Sequence, residues 1–187
     1  LLLGNAAREK GDLSTAVRMY EQTLVFNPRS YEAMNNLGVI YVTQGDDENA
    51  AKAFERAVAI NPESVAAMNN LTDLLMSKRS YRQALLLCDK ILELNPEDVG
   101  AYVKIGVILA ESGHLQKAES IFKQALRIDP VSVEALRNLG VLYANSGYLD
   151  KAISAWEKAI LINPGDEATR NNIEHAKALI NDSRKRN

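Results

Sequence analysis

Cysteine occurs once in the sequence, at Cys88, and histidine twice, at His114 and His175. A single cysteine excludes an intramolecular disulfide and any site built on several thiolates. The two histidines are too far apart in the chain to form an HExxH pair, the spacing that turns two imidazoles onto one helical face around zinc. No GxGxxG stretch or phosphate-binding loop is present. No apolar run approaches the roughly 18 residues of a membrane span. Leu1-Leu2-Leu3 has no basic flank and runs straight into polar sequence, unlike a signal peptide. Charge of one sign is lacking too: 22 Lys and Arg stand against 24 Asp and Glu, a formal net charge of -2. That balance lacks the basic footprint of a nucleic-acid binder. Neither a nucleic-acid partner nor membrane insertion is expected.

Proline is scarce, but its placement organises the chain. The five prolines, Pro28, Pro62, Pro96, Pro130 and Pro164, follow one another at intervals of 34 residues. Ala16, Ala50, Ala84, Ala118 and Ala152 keep the same interval. So do Gly4, Gly38, Gly106 and Gly140, with Thr72 in the remaining slot, and Gly11, Gly45, Gly113 and Gly147, with Arg79 in theirs. A fixed period of this length is the signature of stacked structural repeats.

Each repeat reads as two helices. From Tyr31 to Gln44 the apolar residues Met34, Leu37, Ile40 and Tyr41 recur at helical spacing. Ser30 is placed to cap the start, as are Ser64, Asp98, Ser132 and Asp166 in the same slot. Gly45 ends the helix by taking a left-handed conformation at little cost. A second helix is expected over Asp47–Ile60, with Ala50, Phe54, Ala57 and Val58 on its buried stripe, stopped by Asn61-Pro62.

The pattern Met34…Leu37-Gly38…Tyr41…Ala50…Phe54…Pro62, matched by Leu136…Leu139-Gly140…Tyr143…Ala152…Trp156…Pro164, resembles the tetratricopeptide (TPR) repeat. The resemblance implies an all-α, right-handed superhelical solenoid. Its repeats would cover 1–30, 31–64, 65–98, 99–132 and 133–166, followed by a capping helix over 167–181. The basic tail 182–187, with Arg184-Lys185-Arg186, is expected to be disordered. Repeat one begins within its first helix and without an initiating Met, so a fragment of a longer protein is expected. Repeat three departs most from the pattern, since Thr72 and Arg79 replace glycines and Cys88 an aromatic residue. It is expected to be the least regular.

In this family the resemblance puts partner peptides on the concave face, lined by the first helices. In repeat two that stripe holds Asn35, Asn36 and Val39, then Val42 and Thr43; in repeat three, Asn69, Asn70 and Asp73. Repeat four contributes Val103, Lys104 and Val107, repeat five Arg137, Asn138 and Val141, and the terminal helix Asn171, Asn172 and His175. One column runs Asn36, Asn70, Lys104, Asn138, Asn172. An asparagine amide both donates and accepts, so it can pair with a peptide backbone whatever the side chains. The column is similar to the asparagine ladder of the O-linked N-acetylglucosamine transferase superhelix. The alternatives are that these asparagines are simply polar groove residues, or that they brace the next repeat. The carboxylate clamp of chaperone-binding TPR proteins is not matched: Asn5 and Asn36 fit it, but Leu1, Ala66 and Asn70 stand where its cations belong.

These readings point to a protein-interaction scaffold with a protein or peptide partner, no catalytic residues, no metal and no cofactor. Cys88 occupies a core slot and reads as a buried hydrophobe. The alternatives are a self-assembling homo-oligomer on an organelle or envelope, as with magnetosome-associated TPR proteins, and the substrate-recognition arm of a larger glycosyltransferase. A cytoplasmic location is expected.

Overall fold

The computed structural model describes residues 1–186, and side chains through Ser183. Among the described residues there are eleven helices and no strand. They are α1 (Leu2–Glu9), α2 (Leu13–Phe26), α3 (Tyr31–Thr43), α4 (Asp47–Ile60), α5 (Val65–Ser77), α6 (Tyr81–Leu94), α7 (Val99–Glu111), α8 (Leu115–Ile128), α9 (Val133–Asn145), α10 (Leu149–Ile162) and α11 (Glu167–Arg186). The first helices α3, α5, α7 and α9 have 13 residues each, and the second helices α2, α4, α6, α8 and α10 have 14. The expected start and stop of α4 are met to the residue. The terminal helix contains the expected cap and continues from 181 to Arg186. The side chains of Arg184, Lys185 and Arg186, and the whole of Asn187, lie outside the described residues.

Local chemistry sets these boundaries. Ser30 Oγ accepts from the Ala33 backbone N–H at 3.3 Å, Asp98 Oδ1 from Ala101 at 2.8 Å and Asp166 Oδ1 from Thr169 at 3.0 Å. Each bond satisfies one N–H left over at a helix start. Asp12 and Asp46 do the same for α2 and α4. The turn between the two helices of a pair needs a positive φ, met by Gly45 at 75° and by Arg79 at 56° in repeat three.

The chain divides into two compact units, Leu1–Leu94 and Asn95–Asn187. In the first, α1 to α6 pack each on the next, and α3 also meets α5. In the second, α7 to α11 do likewise, and α7 meets α9. In four of the five pairs, the glycine of the first helix faces an aromatic ring of the second. A methyl group on Gly38 would overlap the Phe54 ring. Phe54, Phe122 and Tyr20 are buried, as is Trp156, whose indole Nε1 donates to the Arg137 carbonyl at 3.1 Å. Repeat three reaches the same packing differently. Thr72 and Cys88 are both fully buried, and Thr72 Oγ1 donates to the Met68 carbonyl at 2.8 Å. Helices α5 and α6 keep the lengths of their counterparts, but they meet over a smaller contact than α3 with α4, α7 with α8 or α9 with α10, so the expected irregularity lies in the packing and not in the helices themselves. A larger residue on one helix is offset by a smaller one on the other.

Candidate functional site

Within each unit, hollows open where one repeat meets the next. Between α3 and α5 the hollow measures about 330 Å³. Its lining is Val39, Val42 and Thr43 of α3, Asp47 and Phe54 of α4, and Asn70, Asp73, Leu74 and Ser77 of α5. The residues two repeats further on are Val107, Ala110, Glu111, Leu115, Phe122, Asn138, Val141, Leu142 and Asn145. They line a hollow of about 240 Å³ between α7 and α9. One repeat beyond, Val141, Ala144, Asn145, Leu149, Trp156, Asn172, His175, Ala176 and Leu179 line a third, about 290 Å³, between α9 and α11. A fourth, about 370 Å³, lies between α1 and α3 in the same register, with Arg8, Glu9, Leu13, Val39, Ile40 and Thr43 around it. Each unit therefore carries two neighbouring hollows in this register, and these neighbours share walls: Val39 and Thr43 in the first unit, Val141 and Asn145 in the second.

The repeat explains this construction. In three of the four, Phe54, Phe122 or Trp156 fills the gap beside its glycine and leaves one edge as a floor; the hollow between α1 and α3 lacks both this ring and the asparagine in its lining. Valine directly after the glycine, as Val39, Val107 and Val141, supplies a stiff, branched wall. An asparagine from the next first helix closes the opposite rim. The result is an apolar depression with a few polar groups at its edge, the usual make-up of a side-chain binding site.

Of the residues expected in the groove, Val39, Asn70, Asp73, Val107, Asn138, Val141 and Asn172 line these hollows. Asn35, Asn36, Asn69, Lys104 and Arg137 do not. Asn36 Nδ2 donates to Asn5 Oδ1 at 2.9 Å, and the same oxygen accepts from the Tyr20 hydroxyl at 2.7 Å. Asn70 Nδ2 donates to Asn35 Oδ1 at 2.8 Å. Two rungs of the ladder thus brace their repeat against the preceding one. Each amide retains a second N–H and its carbonyl lone pairs. Asn138 Nδ2 instead donates to the Glu134 carbonyl of its own helix at 3.0 Å. Asn69 and Lys104 are half-buried on α5 and α7. Arg137 Nε lies 3.5 Å from Asp166 Oδ2. Hydrogen bonds from the Thr169 side chain and backbone, with Arg137 nearby, hold the Asp166 carboxyl below its ordinary pKa.

Sequence reasoning missed the contribution of the second helices. Asp47, Leu115 and Leu149 occupy one slot of the repeat, two residues after the turn glycine, and all three line hollows. It also missed a polar cluster on α8, α9 and α10. The Tyr143 hydroxyl donates to Glu119 Oε1 at 2.8 Å, and Lys123 Nζ stands 2.6 Å from the same oxygen. Lys151 Nζ lies 4.7 Å from the centre of the Tyr148 ring and 5.5 Å from that of Tyr143. The Lys123 bond, followed by the Tyr143 bond, lowers the Glu119 pKa. Among the described residues no three His, Cys, Asp or Glu side chains come together as metal ligands, and no helix is long and apolar enough to cross a membrane.

Known proteins share this architecture. The TPR protein TTC0263 of Thermus thermophilus is 25% identical, with 95% of this chain and 97% of that one aligned and a TM-score of 0.77. YrrB, described as a TPR protein with an unusual peptide-binding site, is 28% identical over 94% of this chain and 88% of its own, with a TM-score of 0.71. MamA, at 24% identity, aligns over 89% and 97% with a TM-score of 0.74 and shares the fold. No curated protein matches the sequence closely enough to count as a relative. Profiles of the tetratricopeptide repeat match residues 1–65 and 103–168, and a second profile matches 43–105. With its helix pairs, its glycine–aromatic contacts and these matches along most of its length, the chain belongs to the tetratricopeptide repeat family.

Proposed function

We propose that the chain is a protein-interaction scaffold whose first-helix face holds an extended segment of a partner protein. The observation that carries this reading is the recurrence of one hollow, in one register, at two joints of each unit. Each pairs an apolar depression with a few polar groups at its edge, the make-up of a site that takes a side chain. Partner side chains enter the hollows, and the rim asparagines Asn70, Asn138 and Asn172 bond the backbone between them. The peptide-binding site ascribed to YrrB supports the same use of the fold.

The test is selection from a random-peptide display library on the intact chain, followed by measured affinities for variants. Val39→Arg and Val141→Arg each put a long side chain into two hollows at once, from positions open enough to tolerate it. Selected peptides are expected to bind at least one of these variants about tenfold or more weakly, the effect of losing one well-filled pocket. Peptides that bind both variants as tightly as wild type would place recognition elsewhere.

A further inference from the structure

In the second unit, the hollows between α7 and α9 and between α9 and α11 lie on either side of one helix. Both take Val141 and Asn145, on successive turns of α9, into their lining. A segment that fills both crosses α9, a step of about 8–10 Å, the usual distance between packed helix axes. Asn145 stands on that crossing, exposed and able to donate and to accept. The two linings also agree in charge. Among the described residues, no Asp, Glu, Lys or Arg borders the hollow between α9 and α11. Glu111, the one such residue at the neighbouring hollow, has an interaction of its own. The floors are Phe122 and Trp156, and the Trp156 indole N–H is already bonded to the Arg137 carbonyl.

Building on the proposed function, we infer that the second unit holds its segment in a polyproline II conformation, with two uncharged side chains three positions apart entering the two hollows. Two conditions apply together: the side chains lie one helix spacing apart, and they leave the same face of the segment. Polyproline II rises about 3.1 Å per residue and turns once every three, so residues three apart share a face at about 9 Å. A β-strand fails one condition or the other. Its same-face neighbours stand two residues, about 7 Å, or four residues, about 13 Å, apart, and residues three apart leave opposite faces. An α-helix returns to the same face after seven residues, at about 10.5 Å, but its backbone groups are bonded within the helix. Polyproline II has no internal hydrogen bonds. Its N–H and C=O groups are open to Asn145 between the hollows and to Asn138 and Asn172 at their rims. Uncharged side chains follow from the linings, since a cation or carboxylate entering them loses water without gaining a free opposite charge. The hollow between α7 and α9, about 240 Å³ and walled by Val107, Leu115 and Leu142 over Phe122, takes an apolar side chain.

The same peptide selection tests this. In peptides whose binding is weakened by Val141→Arg, each position is replaced by alanine in turn. Two uncharged anchors three positions apart are expected, each weakening binding to wild type about tenfold or more when truncated. Lysine or glutamate at either anchor should weaken binding at least as much. One residue inserted between the anchors breaks the register and should weaken binding about tenfold, as the loss of one anchor does. Proline at one or both of the intervening positions should keep or raise affinity, because it presets the φ that polyproline II needs. Thermal melts followed by circular dichroism establish that Val141→Arg is folded. Three results overturn the inference and leave the proposed function standing: anchors two, four or seven positions apart, charged anchors that bind as tightly, or a tenfold loss with proline at each intervening position. The same holds if Val39→Arg alone weakens the selected peptides. If neither Val39→Arg nor Val141→Arg weakens any of them, both fall.

Discussion

At the scale of single residues, the buried pair in each repeat behaves as one unit of volume. Glycine opposite an aromatic ring and Thr72 opposite Cys88 are two ways of filling the same gap. Cys88→Phe alone is expected to cost about 1–3 kcal/mol, since Thr72 occupies the space the ring needs. Adding Thr72→Gly should recover at least about 1 kcal/mol of that, because residues in contact do not contribute additively. Urea denaturation of the two single variants and the double variant measures the coupling, and simple additivity would sink the account. Arg79 offers a separate gain. It holds φ at 56° where the other turns use glycine. Arg79→Gly is therefore expected to stabilise the chain by about 0.5–1 kcal/mol, the relief of left-handed strain less the extra freedom of glycine in the unfolded chain.

At the scale of helices, carboxylate caps tie stability to pH. Asp12, Asp46 and Asp166 all have lowered pKa values, because each accepts hydrogen bonds from the first turn of its helix. A depressed carboxylate stabilises the fold above its unfolded pKa, about 3.9 for Asp, and the contribution disappears as pH falls through the folded value. The thermal midpoint is expected to hold from about pH 7 to about pH 5 and to drop below about pH 4. Asp166→Asn should melt below wild type near pH ~7, and the gap should narrow as pH falls below about 4; a gap that stays unchanged in acid would refute the charge-based account. Helix boundaries were legible in the sequence because caps, turn glycines and prolines each act within a few residues. The asparagine braces were legible only as an alternative to the ladder, without their partners. Asn5–Asn36 and Asn35–Asn70 join residues 31 and 35 positions apart, neither of them the period, so no reading of columns could pair them. The column placed Asn36 and Asn70 in one register, but only distances show that the joint between repeats uses them.

At the scale of the molecule, stability follows the chain of neighbours. Stacked repeats are held mainly by contacts with the adjacent element. Helix α1 packs chiefly on α2, and α11 on α10, while helices such as α3 and α9 are held on several sides. Amide hydrogen exchange is expected to be fastest in α1 and α11 and slowest in α3, α4, α9 and α10, with protection differing by about tenfold or more. Uniform protection across all helices would argue for a single all-or-none unit. The hollows belong to this scale too. Each draws its lining from three helices, and its depth depends on how far two first helices part, a quantity no stretch of sequence encodes. Once one is known, the period gives the register of the others without further information.

The shared walls carry one more implication. Val39 and Val141 each stand between two hollows, and a helical valine keeps essentially one rotamer. A partition that does not move passes no message from one compartment to the next. Whatever fills one hollow leaves its neighbour the same size, so the tastes of adjacent sites combine like independent letters of a code. Substitutions at two positions of a bound peptide should then alter its binding free energy by the sum of their separate effects, within about 0.5 kcal/mol.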